Sequence, residues 1–299
     1  MSTLLTIKNQ IQDLINSANE TTGNNDADLT NSVNALIEGY NVDSGGSGGN
    51  TSSPTEPYVV HTLDTNGNIT GVALYGYTAI PSYAFYNYIN LETVDFSGCP
   101  NLVSIGDYAF YGCAKLSLTS LPEGILSLGK STFSGCSKLA LTSLPTTIKT
   151  IGDRTFNTCT SLALSSLPEN LTNIGQYAFY KCTNITNMIL PESITSIGNY
   201  AFNGCTSMKN VEIKAQTLGA GTYIFYECTG LEKAWIRSTC TTITAAAAGT
   251  APFVKCNGTL KIYAEPTSAL SGWGTYFNRV GSGGSTTITV TYGQKTCPW

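Results

Sequence analysis

CTSLALSSLPENLTNIGQYAFYKC, residues 159–182, begins and ends on cysteine. Counting back 23 positions from Cys159 reaches Cys136 and then Cys113, and counting forward from Cys182 reaches Cys205 and then Cys228. Phe110, Phe133, Phe156, Phe179, Phe202 and Phe225 each stand three residues before one of these cysteines. Ile105-Gly106, Leu128-Gly129, Ile151-Gly152, Ile174-Gly175 and Ile197-Gly198 run ahead of them, and Leu116, Leu139, Leu162, Ile185, Met208 and Leu231 follow. A degenerate earlier copy is IPSYAFYNYINL (80–91), with Tyr88 in the cysteine slot, and a stretched later copy is APFVKCNGTL (251–260). A period of this length is the signature of a solenoid.

Within one unit, Ala109, Phe110 and Cys113 have the spacing of one face of a single helical turn. Gly106 permits a tight entry and Asp107 can cap the turn. The following LSLTSLP or ITNMILP is short, apolar and closed by proline, as suits a strand. One unit buries too little to offset the ordering of its own chain, so neighbours must share a core. The expectation is a right-handed solenoid over about 69–280.

The cysteines read as wall material of that core. Successive rungs of a parallel stack lie about 4.8 Å apart, further than the roughly 3.8 Å that a disulfide asks of its Cβ atoms. A zinc site gathers cysteines in close pairs, and here no such pair exists and His61 is the only histidine. Cys113, Cys136, Cys159, Cys182, Cys205 and Cys228 are expected to be buried, reduced and metal-free, each behaving as a small hydrophobe. The state of Cys99, Cys240, Cys256 and Cys297 stays open.

The runs IGDYAFYGCAKL (105–116) and LPEGILSLG (121–129) resemble the BspA-type leucine-rich repeat, a family of bacterial surface adhesins, protozoan surface proteins and phage or prophage proteins. LKIYAEPTSALSGWGTYFNRV (260–280) is similar to the segment that ends such arrays. The resemblance implies an α/β repeat: a leucine-rich-repeat solenoid with a short parallel strand and a helical turn per 23 residues. Leu116-Ser117-Leu118, Leu139-Ala140-Leu141 and Leu162-Ala163-Leu164 depart from the pattern, with Thr119, Thr142 and Ser165 where later copies carry Met188, Val211 and Ala234. Either the strand register shifts there or three leucines face solvent.

Leu4, Ile7, Ile11, Leu14 and Ala18 make an amphipathic helix, and Asp28 can start a second with Leu29, Val33, Leu36 and Ile37. Residues 1–40 are therefore expected to be an N-terminal helical hairpin for attachment or oligomerisation, joined by a Gly/Ser-rich linker (41–57) to the solenoid with its terminal cap (58–280). LIEGY leading into that linker resembles the N-terminal segments of tail-associated proteins in phages and prophages of gut bacteria. A hairpin this short rarely stabilises itself, so residues 1–40 are expected to dock on further copies of the chain, on the solenoid or on a partner, which the resemblance implies is a tail or baseplate component. In the tail, 281–299, TTITVTYG (286–293) reads as a terminal strand or hairpin shielding the last edge.

The formal charge of −4 and pI near 5.0 argue against nucleic-acid and anionic-membrane partners, which need basic clusters. No 18-residue apolar window exists for membrane insertion, and the N-terminus shows no secretory pattern. LPTTI (144–148) lacks the glycine and hydrophobic tail of a wall-sorting signal. No nucleophile–base arrangement, phosphate loop or metal motif is present, and Glu92/Asp95 as a glycosidase dyad has nothing beyond proximity in sequence. The expectation is a binding protein without cofactor or catalytic activity: a tail-associated receptor-binding protein on a virion, or alternatively a bacterial cell-surface adhesin.

Two faces are candidates for meeting a host cell-surface glycan or protein. Tyr83 and Tyr86, Tyr108 and Tyr111, and Tyr177 and Tyr180 each sit three apart, and Tyr200 continues the series. Stacked across repeats they form a stripe of large, rigid side chains with polar handles; the plain alternative is that they cover the turns. The strand face offers Leu118, Leu141, Leu164, Asn187, Asn210, Lys233 and Trp235.

Overall fold

The computed structural model describes residues 56–216, 222–237, 239–240, 251–266, 290–293 and 295. The expected helical hairpin over 1–40, the linker to residue 55 and most of the tail lie outside these residues.

The described chain opens with an antiparallel hairpin, β1 (Tyr58–Leu63) and β2 (Ile69–Tyr75), turned by Asp64, whose Oδ1 accepts from the amides of Asn66 (2.8 Å) and Asn68 (2.9 Å). From β2 onward every pairing is parallel: β2 pairs with β4 (Thr93–Gly98). Two-residue strands β3 (Ala79–Ile80), β5 (Ser104–Ile105), β6 (Ser127–Leu128), β7 (Thr150–Ile151), β8 (Asn173–Ile174) and β10 (Ser196–Ile197) stack in chain order, each carrying the aliphatic residue before the repeat's glycine or, in β3, before Pro81. A third sheet holds β9 (Asn187–Leu190), β11 (Asn210–Ile213), β12 (Lys233–Ile236), β13 (Lys261–Ala264) and β14 (Val290–Tyr292). β14 lies within the stretch read as an edge-shielding strand, and it pairs with β13.

The expected helical turn is corrected. Among the described residues there is no helix. The arc carrying the tyrosine, phenylalanine and cysteine does form local turns, with the Tyr111 amide donating to Tyr108 O at 3.1 Å. Its alternate amides, however, point along the array: Phe110 N donates to Thr132 O, Phe133 N to Thr155 O, Phe156 N to Ala178 O and Phe179 N to Ala201 O, all within 2.7–2.9 Å. The cause is two left-handed residues per arc, one at its head (Tyr83, Tyr108, Ser131, Arg154, Tyr177, Tyr200 and Tyr223, φ between 52° and 61°) and one four residues on (Asn87, Gly112, Gly135, Thr158, Lys181, Gly204 and Glu227, φ between 54° and 82°), which leave too short a run between them for a helix. Such a residue ends a right-handed helix at once and, where it is not glycine, costs about 1–2 kcal/mol. The inter-coil hydrogen bonds that it sets up offset that cost.

The core is a continuous column. Phe85, Phe110, Phe133, Phe156, Phe179, Phe202, Phe225 and Phe253 are fully buried, with neighbouring ring centroids 4.9–5.8 Å apart. The six ladder cysteines are buried thiols. They are more than passive hydrophobes: each Sγ donates to the carbonyl of the preceding coil's phenylalanine, Cys136 to Phe110 O, Cys159 to Phe133 O and Cys182 to Phe156 O, all at 3.0 Å. Cys256 extends the ladder with a bond to Phe225 O at 3.0 Å, and Cys99 and Cys240 are also buried. The glycine ahead of each arc lets coils approach: a Cβ on Gly152 would sit 2.7 Å from the carbonyl carbon of Gly129.

The three anomalous repeats shift register. Leu141 and Leu164 are buried, at 0% and 1% exposure, and Leu118 is half-buried against the core. Turning the second leucine inward bends the chain, so residues 116–122, 139–145 and 162–168 form no strand of their own. They leave a three-coil interval between β4 and β9, bridged at its far end by Ser166 and Ile189. Exposed hydroxyl pairs, Thr119-Ser120, Thr142-Ser143 and Ser165-Ser166, face solvent across it.

Candidate functional site

The left-handed residue at the head of each arc and the residue three further on form two side-chain columns along the arc face of the solenoid, in which the tyrosines and Arg154 reach the surface while Ser131, Ser134 and Asn203 are buried. The first runs Tyr83, Tyr108, Ser131, Arg154, Tyr177, Tyr200, Tyr223, and the second Tyr86, Tyr111, Ser134, Asn157, Tyr180, Asn203, Tyr226. Tyr83 stacks on Tyr108 and Tyr86 on Tyr111, both at 5.0 Å and within 9° of parallel. Tyr177, Tyr200 and Tyr223 stack at 5.0 and 4.7 Å, with Tyr180 and Tyr226 set edge-on beside them. The tyrosines sort into two clusters instead of one stripe, separated by the coils of Ser131 and Arg154. Tyr223 and Tyr226 belong to the second cluster although the sequence reading passed over them. The signal was present, since Tyr223 follows Tyr200 by 23, but the Ile-Gly pair that flags the other repeats is missing there.

Cations close the stacks. The Lys130 ammonium lies 5.7 Å from the Tyr108 ring centroid and the Arg154 guanidinium 5.0 Å from that of Tyr177, while Lys255 sits 4.8 Å from that of Tyr226 and pairs with Glu227 at 3.0 Å. Inside a stack the ring faces occupy one another, so the half-buried tyrosines offer edges and hydroxyls outward. Tyr86 is 40% exposed. Partial burial, then the neighbouring Tyr223, Tyr177 and Tyr226, raises the Tyr200 phenol above its ordinary value, so it remains a protonated donor at neutral pH.

The strand face is much reduced as a candidate. Leu141 and Leu164 are core residues and Leu118 is half-buried against the core, for the register reason given above. Trp235 is 3% exposed because Arg237 lies over its ring at 4.2 Å, held by Glu212 (3.5 Å) and Glu265 (3.0 Å). What remains accessible is Asn187 with half-buried Asn210, joined Nδ2 to Oδ1 at 2.8 Å, and half-buried Lys233 in register with Asn210 and Lys261.

Burial pushes the Cys113 thiol up to about 12, and raises Cys136, Cys159 and Cys182 well above the ordinary thiol value, so none is a ready thiolate. Burial also lowers His61, which lies in β1 opposite Val72. Glu92 and Asp95 are exposed; the Ser97 amide, at 2.8 Å, holds the Asp95 carboxyl below its ordinary range. Among the described residues no three His, Cys, Asp or Glu side chains converge on a metal position, and no helix is long and apolar enough to cross a membrane.

The family comparison agrees with this architecture. The chain matches the model of the BspA type leucine rich repeat region in six copies, over residues 78–182 and 159–257. It is similar to the T. pallidum leucine-rich-repeat protein (26% identity, TM-score 0.41, 62% of this chain and 82% of that one). It is also similar to a leucine-rich-repeat protein from Bacteroides ovatus (19%, TM-score 0.49, 79% and 70%) and to the pneumococcal vaccine antigen PcpA (18%, TM-score 0.47, 73% and 66%). None of the curated proteins matches it. With the repeat matched over more than half its length and its coils stacked as described, the chain belongs to the BspA-type leucine-rich-repeat family.

Proposed function

We propose that the protein is a non-catalytic recognition protein, which presents its solenoid to a cell surface and binds a glycan or protein there through the tyrosine columns. The observation that carries this reading is the outward pair of tyrosine clusters, each closed by a cation. An edge and a hydroxyl from every ring give a rigid surface that loses little entropy on binding. The buried, neutral thiols, and a sequence whose only histidine is His61, support binding over catalysis.

The setting that residues 1–40 suggest is a phage or prophage tail, with that segment docking to a tail component or to further copies while the solenoid meets the host. Several copies on one particle would add avidity to weak single sites. The alternative setting is a bacterial cell-surface adhesin, and a cell-surface or extracellular place is common to both.

The test probes the full-length chain against a glycan array and against outer-surface protein extracts of gut bacteria, beside Tyr108→Ala/Tyr111→Ala and Tyr177→Ala/Tyr200→Ala. Binding that falls in either tyrosine variant, with unchanged circular dichroism, supports the reading. Binding that ignores both variants refutes it. Electron microscopy of particles labelled with an antibody to the chain then separates tail from cell wall.

A further inference from the structure

The register shift has an effect at its near end. β4 pairs with β2 on one side. On its other side the next coil contributes residues 117–122, which bend to bury Leu118 and Leu121 instead of running alongside. The Ser117 amide and hydroxyl both donate to Glu92 O, at 3.0 and 3.2 Å. Beyond that point, among the described residues, no hydrogen bond joins the backbone of Thr93–Gly98 to the following coil.

The contrast with later coils is direct, since β11 and β12 pair over four residues at the same place in the repeat. There Ile213 O accepts the Arg237 amide, so the backbone at that position faces the following coil. Val94 and Phe96 are the equivalents of Val211 and Ile213 in β4, but the register with β2 shifts after Asp95 and Phe96 O is taken by the Cys99 amide at 2.8 Å, so by this equivalence the groups left facing the gap are the two amides and the Val94 carbonyl.

That gap is a cavity of about 480 Å³ lined by Glu92, Thr93, Val94, Phe96, Leu118 and Thr119, among others. Half-buried Phe96 and Leu118 provide apolar contact, and threonine and serine hydroxyls rim it. Glu92 is the charged residue of the lining, and exposed Asp95 adds a second carboxylate from the same strand. A strand edge with unfilled donors and acceptors is a template for another strand.

We infer that the open edge of β4 is a docking groove for an extended, basic peptide segment of a partner protein, which adds to β4 as a further strand. Main-chain hydrogen bonds supply the affinity, Phe96 and Leu118 receive an alternate apolar side chain, and Glu92 and Asp95 select lysine or arginine between them. About four residues, at roughly 3.3 Å each, match the run Val94–Ser97. This groove is separate from the tyrosine columns and does not depend on their role.

The probe is an acetylated, amidated Lys-Val repeat octapeptide, titrated into the full-length chain with amide hydrogen exchange as readout. Binding is expected to slow exchange at Val94 and Phe96 by about tenfold or more. An analogue with alternate backbone nitrogens methylated, which cannot complete the ladder, should not bind. Glu92→Gln/Asp95→Asn should weaken binding by about tenfold at low salt, and a Glu-Val octapeptide should bind no better than that. S117T/L118N/T119M/S120I, which copies residues 186–189 into this coil to supply the missing strand, should close the groove and abolish binding. The inference is overturned if the Lys-Val peptide fails to bind at about 1 mM, or if it binds without protecting Val94 and Phe96. Equal binding by the methylated or acidic peptide also overturns it. The peptide controls and Glu92→Gln/Asp95→Asn keep the test decisive if the fourfold variant does not fold.

Discussion

Raising the pH should unfold this protein within a narrow window, because its core stores neutral thiols. Burial pushes Cys113 up to about 12 and drives Cys136, Cys159, Cys182, Cys205 and Cys256 above the ordinary value of 9.0. In the unfolded chain the same groups ionise near pH 9. The stabilisation is therefore fully present below pH 9. It is lost above it, where the unfolded state sheds protons that the folded state retains, until the folded pKa values are reached. Each thiol contributes a slope of about 1.4 kcal/mol per pH unit, and the six together about 8 kcal/mol per unit. Against a net stability of about 5–15 kcal/mol, unfolding is expected within about two units above pH 9. The assay is urea denaturation followed by circular dichroism from pH 7 to 10.5, with Cys159→Ala alongside. That variant should be about 1–3 kcal/mol less stable at pH 7, having lost the buried sulfur and its bond to Phe133 O, yet should show a slope shallower by about one proton. A urea midpoint that stays flat between pH 8 and 10 would refute the reasoning, since it would mean that the folded chain ionises its thiols as easily as the unfolded one.

Three further outcomes follow from the same packing. Gly152→Ala should destabilise by about 1–3 kcal/mol in thermal melts, because its Cβ would strike the Gly129 backbone and force two coils apart. Leu141→Asn should cost at least the roughly 2–5 kcal/mol of a large core deletion and leave no folded chain with altered binding, whereas a solvent-facing leucine would tolerate the change. Under native conditions at pH 8, Ellman's reagent should find Cys113 through Cys228 unreactive, and denaturant should release them; fast native reaction at any ladder rung would contradict their burial.

The periodic part of this architecture was legible because identical side chains recur at a spacing that only a stack can use: Phe133, Phe156 and Phe179 had to lie over one another, and they do. The arc's conformation was not legible. Ala109, Phe110 and Cys113 fit one helical face equally well, and what excludes a helix is the positive φ at Tyr108. A tyrosine carries no mark of that; the second positive φ of the arc falls on Gly112, Gly135 and Gly204 in three coils but on Asn87, Thr158, Lys181 and Glu227 in others, so the glycine signal is broken. The thiol bonds to phenylalanine carbonyls were hidden for a similar reason: a cysteine that donates and one that merely fills space look alike in a sequence. In the three anomalous repeats the alternation left two registers open, and only the burial of Leu141 and Leu164 decided between them. The tyrosine columns, Tyr223 included, and their division into two clusters are both readable from spacing, since Ser131 and Arg154 take the tyrosine positions of the two intervening coils; the cations lying over the rings are not. Trp235 looked like an exposed anchor because nothing local reveals that Arg237 covers it.

The most direct test of the functional account measures binding of the labelled full-length chain to whole gut-bacterial cells by flow cytometry. Tyr177→Ala/Tyr200→Ala/Tyr223→Ala is compared with Thr142→Ala/Ser143→Ala/Ser165→Ala, which alters the exposed hydroxyls between β4 and β9. The account predicts that the tyrosine variant, still folded by circular dichroism, loses about tenfold or more in apparent affinity, while the hydroxyl variant binds as the unmodified chain does. The reverse pattern, or equal binding by all three, would contradict the assignment of recognition to the tyrosine columns.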